Sequence, residues 1–341
     1  MDARGHLPRG SDLPLIKNGH GLEIFSGTMR QQSAHHILSA IFDERTIGRL
    51  KSVAHPTDQL KDRIETLTVS DIEAPESAHH VRKEAWAHYL GAASTCGMLG
   101  GDDGRELLGR LQGVDDKGFR SAIAECFACW FFAEKLKLPP SPRPHGRSGK
   151  NLDFLVQLPT GPACVEVKAP YRARPRTRVW SGDDADKLAD CLDEANKQFA
   201  KDATNILVIV PQLRTSVCGG RYQLIRAFLG NIDITVPIDP NTGATVGPAQ
   251  LKFFQEGKFL KLHRDQGDSY DLTPRFTRVS AAVCIEDRIT MDEPPRVVHS
   301  AVVLINPFAE RSVDRTVFSP YPHIPLEDST LRWSDGCDPF K

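Results

Sequence analysis

The stretch that decides the fold runs from Asn151 to Pro170, and its sequence is NLDFLVQLPTGPACVEVKAP. Residues 152–158 and 163–167 are mostly apolar and favour extended backbone, while the four residues Pro159-Thr160-Gly161-Pro162 between them are typical of a turn. This pattern predicts a β-hairpin with one apolar strand on each side of a short turn.

Polar side chains interrupt this apolar hairpin at four positions: Asp153, Gln157, Glu166 and Lys168. With the turn centred between Thr160 and Gly161, Asp153 lies opposite Lys168, and strand alternation places Asp153, Glu166 and Lys168 on one face. Two carboxylates and one ammonium at the end of a sheet predict a site for a hard divalent cation, with the lysine left to meet an anion. An edge hairpin with a surface ion pair is the alternative interpretation.

The spacing of these charged residues also carries a family resemblance. Asp153, followed after twelve residues by Glu166-Val167-Lys168, resembles the catalytic signature of the PD-(D/E)XK nuclease superfamily, although Leu152 stands where that signature has its proline. The resemblance implies an α/β, restriction-endonuclease-like fold in which a central mixed β-sheet is flanked by helices. It further implies a nuclease, dependent on Mg²⁺ or Mn²⁺, that hydrolyses phosphodiester bonds of nucleic acid, above all of DNA, with a role in defence against foreign DNA.

Roles for individual residues follow from the same resemblance. Asp153 and Glu166 would hold the metal together with the carbonyl oxygen of Val167, and Lys168 would act in catalysis. In a binding-only alternative, the chain is a catalytically inactive relative that holds nucleic acid or a protein partner. A third interpretation makes the charged hairpin the partner interface of a structural or toxin-regulating protein.

The strongest helical pattern of the chain runs from Gly118 to Leu138 and is apolar on two sides. Glu125 falls among apolar residues on the second of these sides, and a buried carboxylate there needs a partner. The first core helix of the superfamily often carries a glutamate that reaches the metal site, which the resemblance assigns to Glu125. Glu134 is a rival for this role, and an ordinary surface position is the simpler alternative.

A strand–helix–strand unit follows the hairpin. Residues 183–201 have helical periodicity, and the continuous apolar run ILVIV at 206–210 predicts a buried parallel strand. Gln198 lies near the end of this helix, where some branches of the superfamily carry a supporting glutamine; a solvated position is equally open. The strand that usually precedes the aspartate strand in the superfamily is not evident in the Pro-, Arg- and Gly-rich residues 139–149.

Three regions follow from these patterns. We expect a mainly helical N-terminal region at 1–110, the nuclease-like domain at 111–318 and a C-terminal tail at 319–341. The Cys126-x-x-Cys129 motif lies inside the helical pattern without a second pair of ligands, so it favours core packing over a zinc site.

Composition limits the compartment and the partners. The eight cysteines are scattered, several within apolar segments, and predict reduced core residues in a cytoplasmic protein. No run of about 18 apolar residues is present that would span a membrane, and the N-terminal residues lack the apolar core of a signal peptide. A homo-oligomer or a protein partner is left open by the sequence.

Charge is distributed unevenly although the net charge is only −1. Residues 141–179 contain eight Lys or Arg residues against Asp153 and Glu166, an excess of six positive charges, and the segment 183–202 that follows is acidic. A basic segment around an acidic metal site suits a phosphate-backbone substrate.

The segment after the hairpin has arginines at alternating positions, which project to one side of an extended chain. We predict that this segment binds nucleic acid through Arg172, Arg174, Arg176 and Arg178, with Tyr171 stacking on a base. A flexible, solvated run of charge is the alternative.

We predict that replacing these four arginines together weakens the binding of all nucleic-acid sequences alike, because alternating arginines contact phosphates that carry no base information. Affinities for several unrelated oligonucleotides, measured over a range of salt concentrations, test this expectation. Unchanged affinity with an unchanged salt slope would leave the solvated-loop interpretation.

Overall fold

A computed structural model describes residues 27–70, 77–142, 152–171, 184–212, 222–230, 232–235, 238–246, 250–253, 257–264, 270–290, 294–306, 308–319, 321, 323–324, 326–327 and 330–331. The four arginines at 172, 174, 176 and 178 lie outside the described residues, as does most of the tail from 319 onward.

Helices dominate the N-terminal part and recur between the strands. They are α1 (Gly27–Ile41), α2 (Glu44–Lys51), α3 (Asp58–Thr68), α4 (Ala78–Thr95), α5 (Gly101–Gln112), α6 (Asp116–Trp130), α7 (Ala185–Gln198) and α8 (Tyr222–Leu229). A π-helical turn, Phe131–Lys135, continues α6, and a 3₁₀ turn spans Arg315–Phe318. Several of these helices have an N-terminal capping side chain. Asp115, for example, accepts hydrogen bonds from two backbone amides of α6.

The strands form one mixed sheet and three small two-stranded sheets. They are β1 (Phe154–Leu158), β2 (Gly161–Lys168), β3 (Thr204–Ile209), β4 (Ile232–Thr235), β5 (Gln250–Phe253), β6 (Leu260–Arg264), β7 (Tyr270–Pro274), β8 (Ala281–Ile289), β9 (Val297–Ile305), β10 (His323–Ile324), β11 (Leu326–Glu327) and β12 (Thr330–Leu331). The six-stranded sheet has the order β1-β2-β3-β8-β9-β10. The expectation of an α/β fold with a mixed sheet, flanking helices and a helical N-terminal region is confirmed.

Two hydrophobic clusters cover the two faces of this sheet. Alternate residues of β3 divide between them, with Ile206 and Val208 in one cluster and Leu207 and Ile209 in the other. Helices α4 and α6 pack in the first cluster, and α7 and α8 pack in the second. Burial on both faces explains the continuous apolar run predicted to be a strand.

The strand–helix–strand unit forms as predicted, because β2 and β3 pair in parallel with α7 as their connection. The register places Glu166 beside Leu207 and Lys168 beside Ile209. The carboxyl ends of β2 and β3 therefore lie side by side.

The hairpin turn differs from its predicted register. Leu158 pairs with Gly161 and Phe154 with Val165, so the loop contains two residues, and Asp153 lies beside Glu166 instead of opposite Lys168. Gly161 adopts a φ of +127°, which lets the chain re-enter the strand directly after Thr160. A shift of two positions preserves strand alternation, so the predicted common face is unaffected.

Ser141, near the end of the described residues that precede the hairpin, bridges to β1. Ser141 forms an isolated antiparallel bridge with Leu155, in which each backbone amide donates to the other residue's carbonyl oxygen at 2.9 and 3.0 Å. This bridge covers the outer edge of β1 at its first half.

The N-terminal helices share the core of the sheet. Tyr89 of α4 is buried against Phe127 of α6, and its hydroxyl lies 3.0 Å from His299 Nε2 on β9. The same hydroxyl donates to Asp287 on β8 at 3.1 Å, so the ring nitrogen of His299 must be the donor to Tyr89. This chain of hydrogen bonds ties α4 to the antiparallel half of the sheet.

Two glycines of α5 give a matched test of how the start of this helix packs against the chain before it. A Cβ at Gly104 would overlap the backbone of Leu99, whereas a Cβ at Gly109 meets nothing within 4 Å. We predict that Gly104→Ala destabilises the protein by about 1–3 kcal/mol through this overlap. Gly109→Ala should stabilise it by about 0.5–1 kcal/mol, because alanine favours helix. Urea unfolding of both variants checks the pair, and equal effects would contradict the placement of α5.

Candidate functional site

A cavity of about 640 Å³ opens where β2 ends between α6 and α7. Its lining includes every described residue that the sequence assigned to the site, which are Glu125, Asp153, Glu166, Val167, Lys168, Tyr171 and Gln198. We call this space the β2 cavity. These residues come from α6, α7, the hairpin and the chain after it, so only the tertiary fold brings them together.

Asp153 is half-buried directly before β1 and is fixed by the backbone of β2. Its own amide donates to Val165 O at 3.0 Å, and its Oδ2 accepts a hydrogen bond from the amide of Val167 at 2.6 Å. In a strand the carbonyl of a residue points to the same side as its amide, so the Val167 carbonyl is directed toward the Asp153 side. Asp153 and this carbonyl therefore lie at the same end of the hairpin.

Glu166 and Lys168 follow each other on the α7 side of β2. Glu166 is 3% exposed, and its Oε1 accepts a hydrogen bond from Lys168 Nζ at 2.8 Å. The same ammonium donates to Gln198 Oε1 at 3.1 Å and lies 3.8 Å from Glu194 Oε2. Gln198 thus contacts the lysine of the site rather than its carboxylates.

The charge state of Lys168 follows from these neighbours. Burial alone would lower its pKa, but Glu166, with smaller contributions from Asp153 and Glu194, raises the pKa above its ordinary value. Lys168 is accordingly an ammonium at neutral pH and is suited to contact an anion.

Glu125 is buried, with 5% of its surface exposed, and both of its oxygens are held by Arg110. Arg110 Nη1 and Nη2 donate to Oε1 and Oε2 at 2.5 and 2.8 Å, which is a bidentate ion pair between α5 and α6. Glu134 is exposed and lies 3.5 Å from Lys137. Glu125 is therefore the glutamate of this helix that lines the cavity, with a partner already in place.

Arg110 is the residue that the sequence patterns missed. It precedes Glu125 by fifteen positions and lies on α5, a helix that the glycines at 97–104 obscured. Other cations of the lining also come from outside the hairpin: Lys117, Arg120 and Lys187. An antiparallel pairing of α5 with α6 is the signal that would have predicted the contact, and it is not visible in periodicity alone.

Tyr171 lies at the rim and is covered by an arginine of α6. The Arg120 guanidinium stacks on the Tyr171 ring at 3.7 Å, and the Tyr171 hydroxyl forms a hydrogen bond with Gln59 of α3. The ring predicted to stack on a base thus has one face occupied by a cation.

The donor set of the β2 cavity suits a hard cation. Asp153, Glu166 and the Val167 carbonyl offer oxygen ligands, and Mg²⁺ is usually held by one or two carboxylates together with water and substrate phosphate. Across the described ranges, no group of three or more His, Cys, Asp or Glu side chains is arranged to hold a metal.

No family model matches the chain, and searches of curated proteins and of solved structures also give no match. In the part of the chain that the structure describes, no helix is long and apolar enough to cross a membrane.

The bidentate pair gives a direct test of the role of Glu125. We predict that Arg110→Met costs about 3–5 kcal/mol of unfolding free energy, because it leaves a buried carboxylate without its cation. Arg110→Met combined with Glu125→Met should recover most of this loss, since both charges are then gone. Urea unfolding in EDTA measures the effect, and an unaltered stability of Arg110→Met would contradict the buried pair.

The same measurement with Mg²⁺ separates two roles. If Glu125 serves Arg110 alone, Mg²⁺ raises the stability of Arg110→Met by no more than it raises that of the wild type. Recovery that requires Glu125 and saturates with Mg²⁺ would instead make Glu125 a cation ligand.

Proposed function

We propose that this chain is a nuclease that hydrolyses phosphodiester bonds of DNA with Mg²⁺ or Mn²⁺, on a restriction-endonuclease-like fold. The observation that carries the proposal is the convergence of Asp153, Glu166 and Lys168 at the end of β2 in one cavity. The order helix, bridging residue, hairpin, helix and parallel strand supports the same family assignment.

Asp153, Glu166 and the carbonyl oxygen of Val167 would hold the cation. When bound, a divalent cation polarises the phosphate and lowers the pKa of a bound water. Asp153 keeps its orientation through the amide of Val167, and Glu166 is paired with Lys168 in its buried position. Both carboxylates are thus held in place before a ligand arrives.

Lys168 would stabilise negative charge that develops on the phosphate or orient the attacking water. Its raised pKa keeps the side chain cationic at neutral pH, so electrostatic stabilisation suits it better than proton abstraction. Gln198 would fix the direction of the ammonium through its 3.1 Å hydrogen bond. Arg110, with its 27% exposed side chain, would offer a second cation to the phosphate backbone.

Incubation with supercoiled plasmid, linear duplex, single-stranded DNA and RNA, each with Mg²⁺ and with EDTA, tests the proposal. We expect cleavage of DNA that requires the metal and is lost in Asp153→Asn and in Glu166→Gln. DNA binding without cleavage under every metal condition would favour the inactive, binding-only alternative. Absence of both would favour a protein-partner role for the hairpin.

For Lys168→Ala we predict that cleavage falls by about 10²–10³-fold, as on loss of one electrostatic contact to the transition state. DNA affinity should change far less, because one phosphate contact is a small share of the total. The fold should survive in Mg²⁺, since the cation replaces the positive charge beside Glu166. Melting temperature, DNA affinity and cleavage rate are measured on one preparation.

Lys187→Ala is the matched control, because Lys187 lines the same cavity but is about half exposed and lies 3.9 Å from Asp190. We expect it to retain cleavage within a few-fold. Normal cleavage by Lys168→Ala would show that Lys168 takes no part in the reaction. A fall in the melting temperature of Lys168→Ala that Mg²⁺ does not reverse would show that Lys168 is a structural partner of Glu166.

A further inference from the structure

Three residues from separate parts of the chain meet at the rim of the β2 cavity, and we call them the rim triad. They are Gln59 of α3, Arg120 of α6 and Tyr171, which follows β2. Arg120 Nη1 donates a hydrogen bond to the side-chain carbonyl of Gln59, and the Gln59 amide donates to the Tyr171 hydroxyl. The Arg120 guanidinium lies over the Tyr171 ring at 3.7 Å, which closes the triad.

Tyr171 is fixed by its backbone as well as by its side chain. It forms a parallel bridge with Gln212, and the Gln212 amide donates to the Pro170 carbonyl at 2.9 Å. Because the pairing of Lys168 with Ile209 continues to this bridge without an offset, the chain from Lys168 to Tyr171 is extended. Three extended residues span about 10 Å, so the Cα of Tyr171 lies about 10 Å from that of Lys168.

The contacts of Arg120 hold its guanidinium in one orientation. Among the described residues its partners are the Gln59 carbonyl and the Tyr171 ring, both uncharged. Asp116 lies one turn earlier on α6, where its Oδ2 accepts a hydrogen bond from the Thr57 hydroxyl, and it offsets the charge of Arg120 from a distance. The direction of the guanidinium therefore matters more here than an excess of charge. An arginine that is held in place beforehand loses less side-chain freedom when it contacts a phosphate.

Charges are unevenly placed around the mouth of the β2 cavity. Two charged pairs of the lining cancel internally: Arg110 with Glu125, and Lys187 with Asp190. An exposed carboxylate remains on the α5 side, Glu106, and another on the α7 side, Glu194. The side where α6 begins has two cations instead, Lys117 and Arg120. A polyanion with one phosphate at Lys168 would be repelled on the first two sides and would leave the cavity past Arg120.

We propose that Arg120 binds a phosphate of the DNA strand one to three nucleotides from the bond that is cleaved, and that Gln59 is its positioning residue. Each nucleotide step of a duplex strand covers about 3.4 Å along the axis, so a separation of about 10 Å corresponds to at most about three steps. Gln59 lies behind Arg120, outside the lining of the β2 cavity, and acts on the substrate through Arg120. This role rests on the proposed nuclease activity, and it makes the N-terminal helical region part of substrate recognition.

Duplex DNA in which one phosphate at a time is replaced by an uncharged methylphosphonate tests the proposal. The full chain cleaves each duplex in Mg²⁺, and every cut is located on a sequencing gel. We expect the wild type to cut about 10-fold less often at the bond a fixed one to three nucleotides from the neutral linkage, as for loss of one charged hydrogen bond. In Arg120→Met this offset suppression should disappear, because the contact is already absent. Suppression of equal size in both proteins at every position would overturn the proposal.

Kinetics on unmodified DNA separate binding from the reaction. Arg120→Met should raise KM by about 10-fold and leave kcat within a few-fold, as expected for a contact made equally in the ground state and the transition state. The slope of log affinity against log salt concentration should become shallower by about one, because one phosphate contact is lost. A fall in kcat with an unchanged KM would overturn the binding role of Arg120.

Gln59→Leu removes both hydrogen bonds that Gln59 makes within the rim triad. We expect a higher KM and a weaker offset suppression, as for Arg120→Met. Gln157→Leu is the matched control, because Gln157 is an exposed glutamine of β1 whose amide donates to the Leu158 carbonyl, and both readouts should stay unchanged. Should Arg120→Met fail to fold, as judged by its melting curve, Gln59→Leu provides the decision. Full offset suppression with an unchanged KM in folded Gln59→Leu overturns the positioning role.

Failure of this proposal and failure of the nuclease proposal give different results. A wild-type chain that cleaves DNA but shows no offset suppression overturns the Arg120 contact alone. If the wild type cleaves no DNA under any metal condition, the proposed function and this role of Arg120 are overturned together.

Discussion

Glu166 lies on a strand that is covered on both faces, and a carboxylate in that position is stable only with a cation beside it. The ammonium of Lys168, at 2.8 Å, supplies that cation from the same face of the same strand. Because the two residues are separated by one position, strand alternation alone brings them together. Glu166 and Lys168 thus form an ion pair at the end of β2. The helices that pack around this end leave the β2 cavity open beside the pair.

The short length of β1 gives the second carboxylate its place. β1 begins at Phe154, and its last pair with β2 is Phe154 with Val165. The amide of Val167 therefore lies beyond the backbone carbonyls of β1. Asp153 Oδ2 accepts that amide at 2.6 Å and substitutes for a backbone carbonyl. A hairpin that ends in this way orients one carboxylate toward the next strand and leaves the carbonyl of Val167 on the same side.

The sequence predicted the local part of this arrangement well and the long-range part poorly. Alternation placed Asp153, Glu166 and Lys168 on one face although the hairpin register was wrong by two positions, because a shift of two does not exchange faces. The apolar two-sided helix predicted a buried Glu125, but its partner Arg110 depends on how α5 packs against α6. No periodic pattern carries that information, since the contact joins two helices across a tight turn.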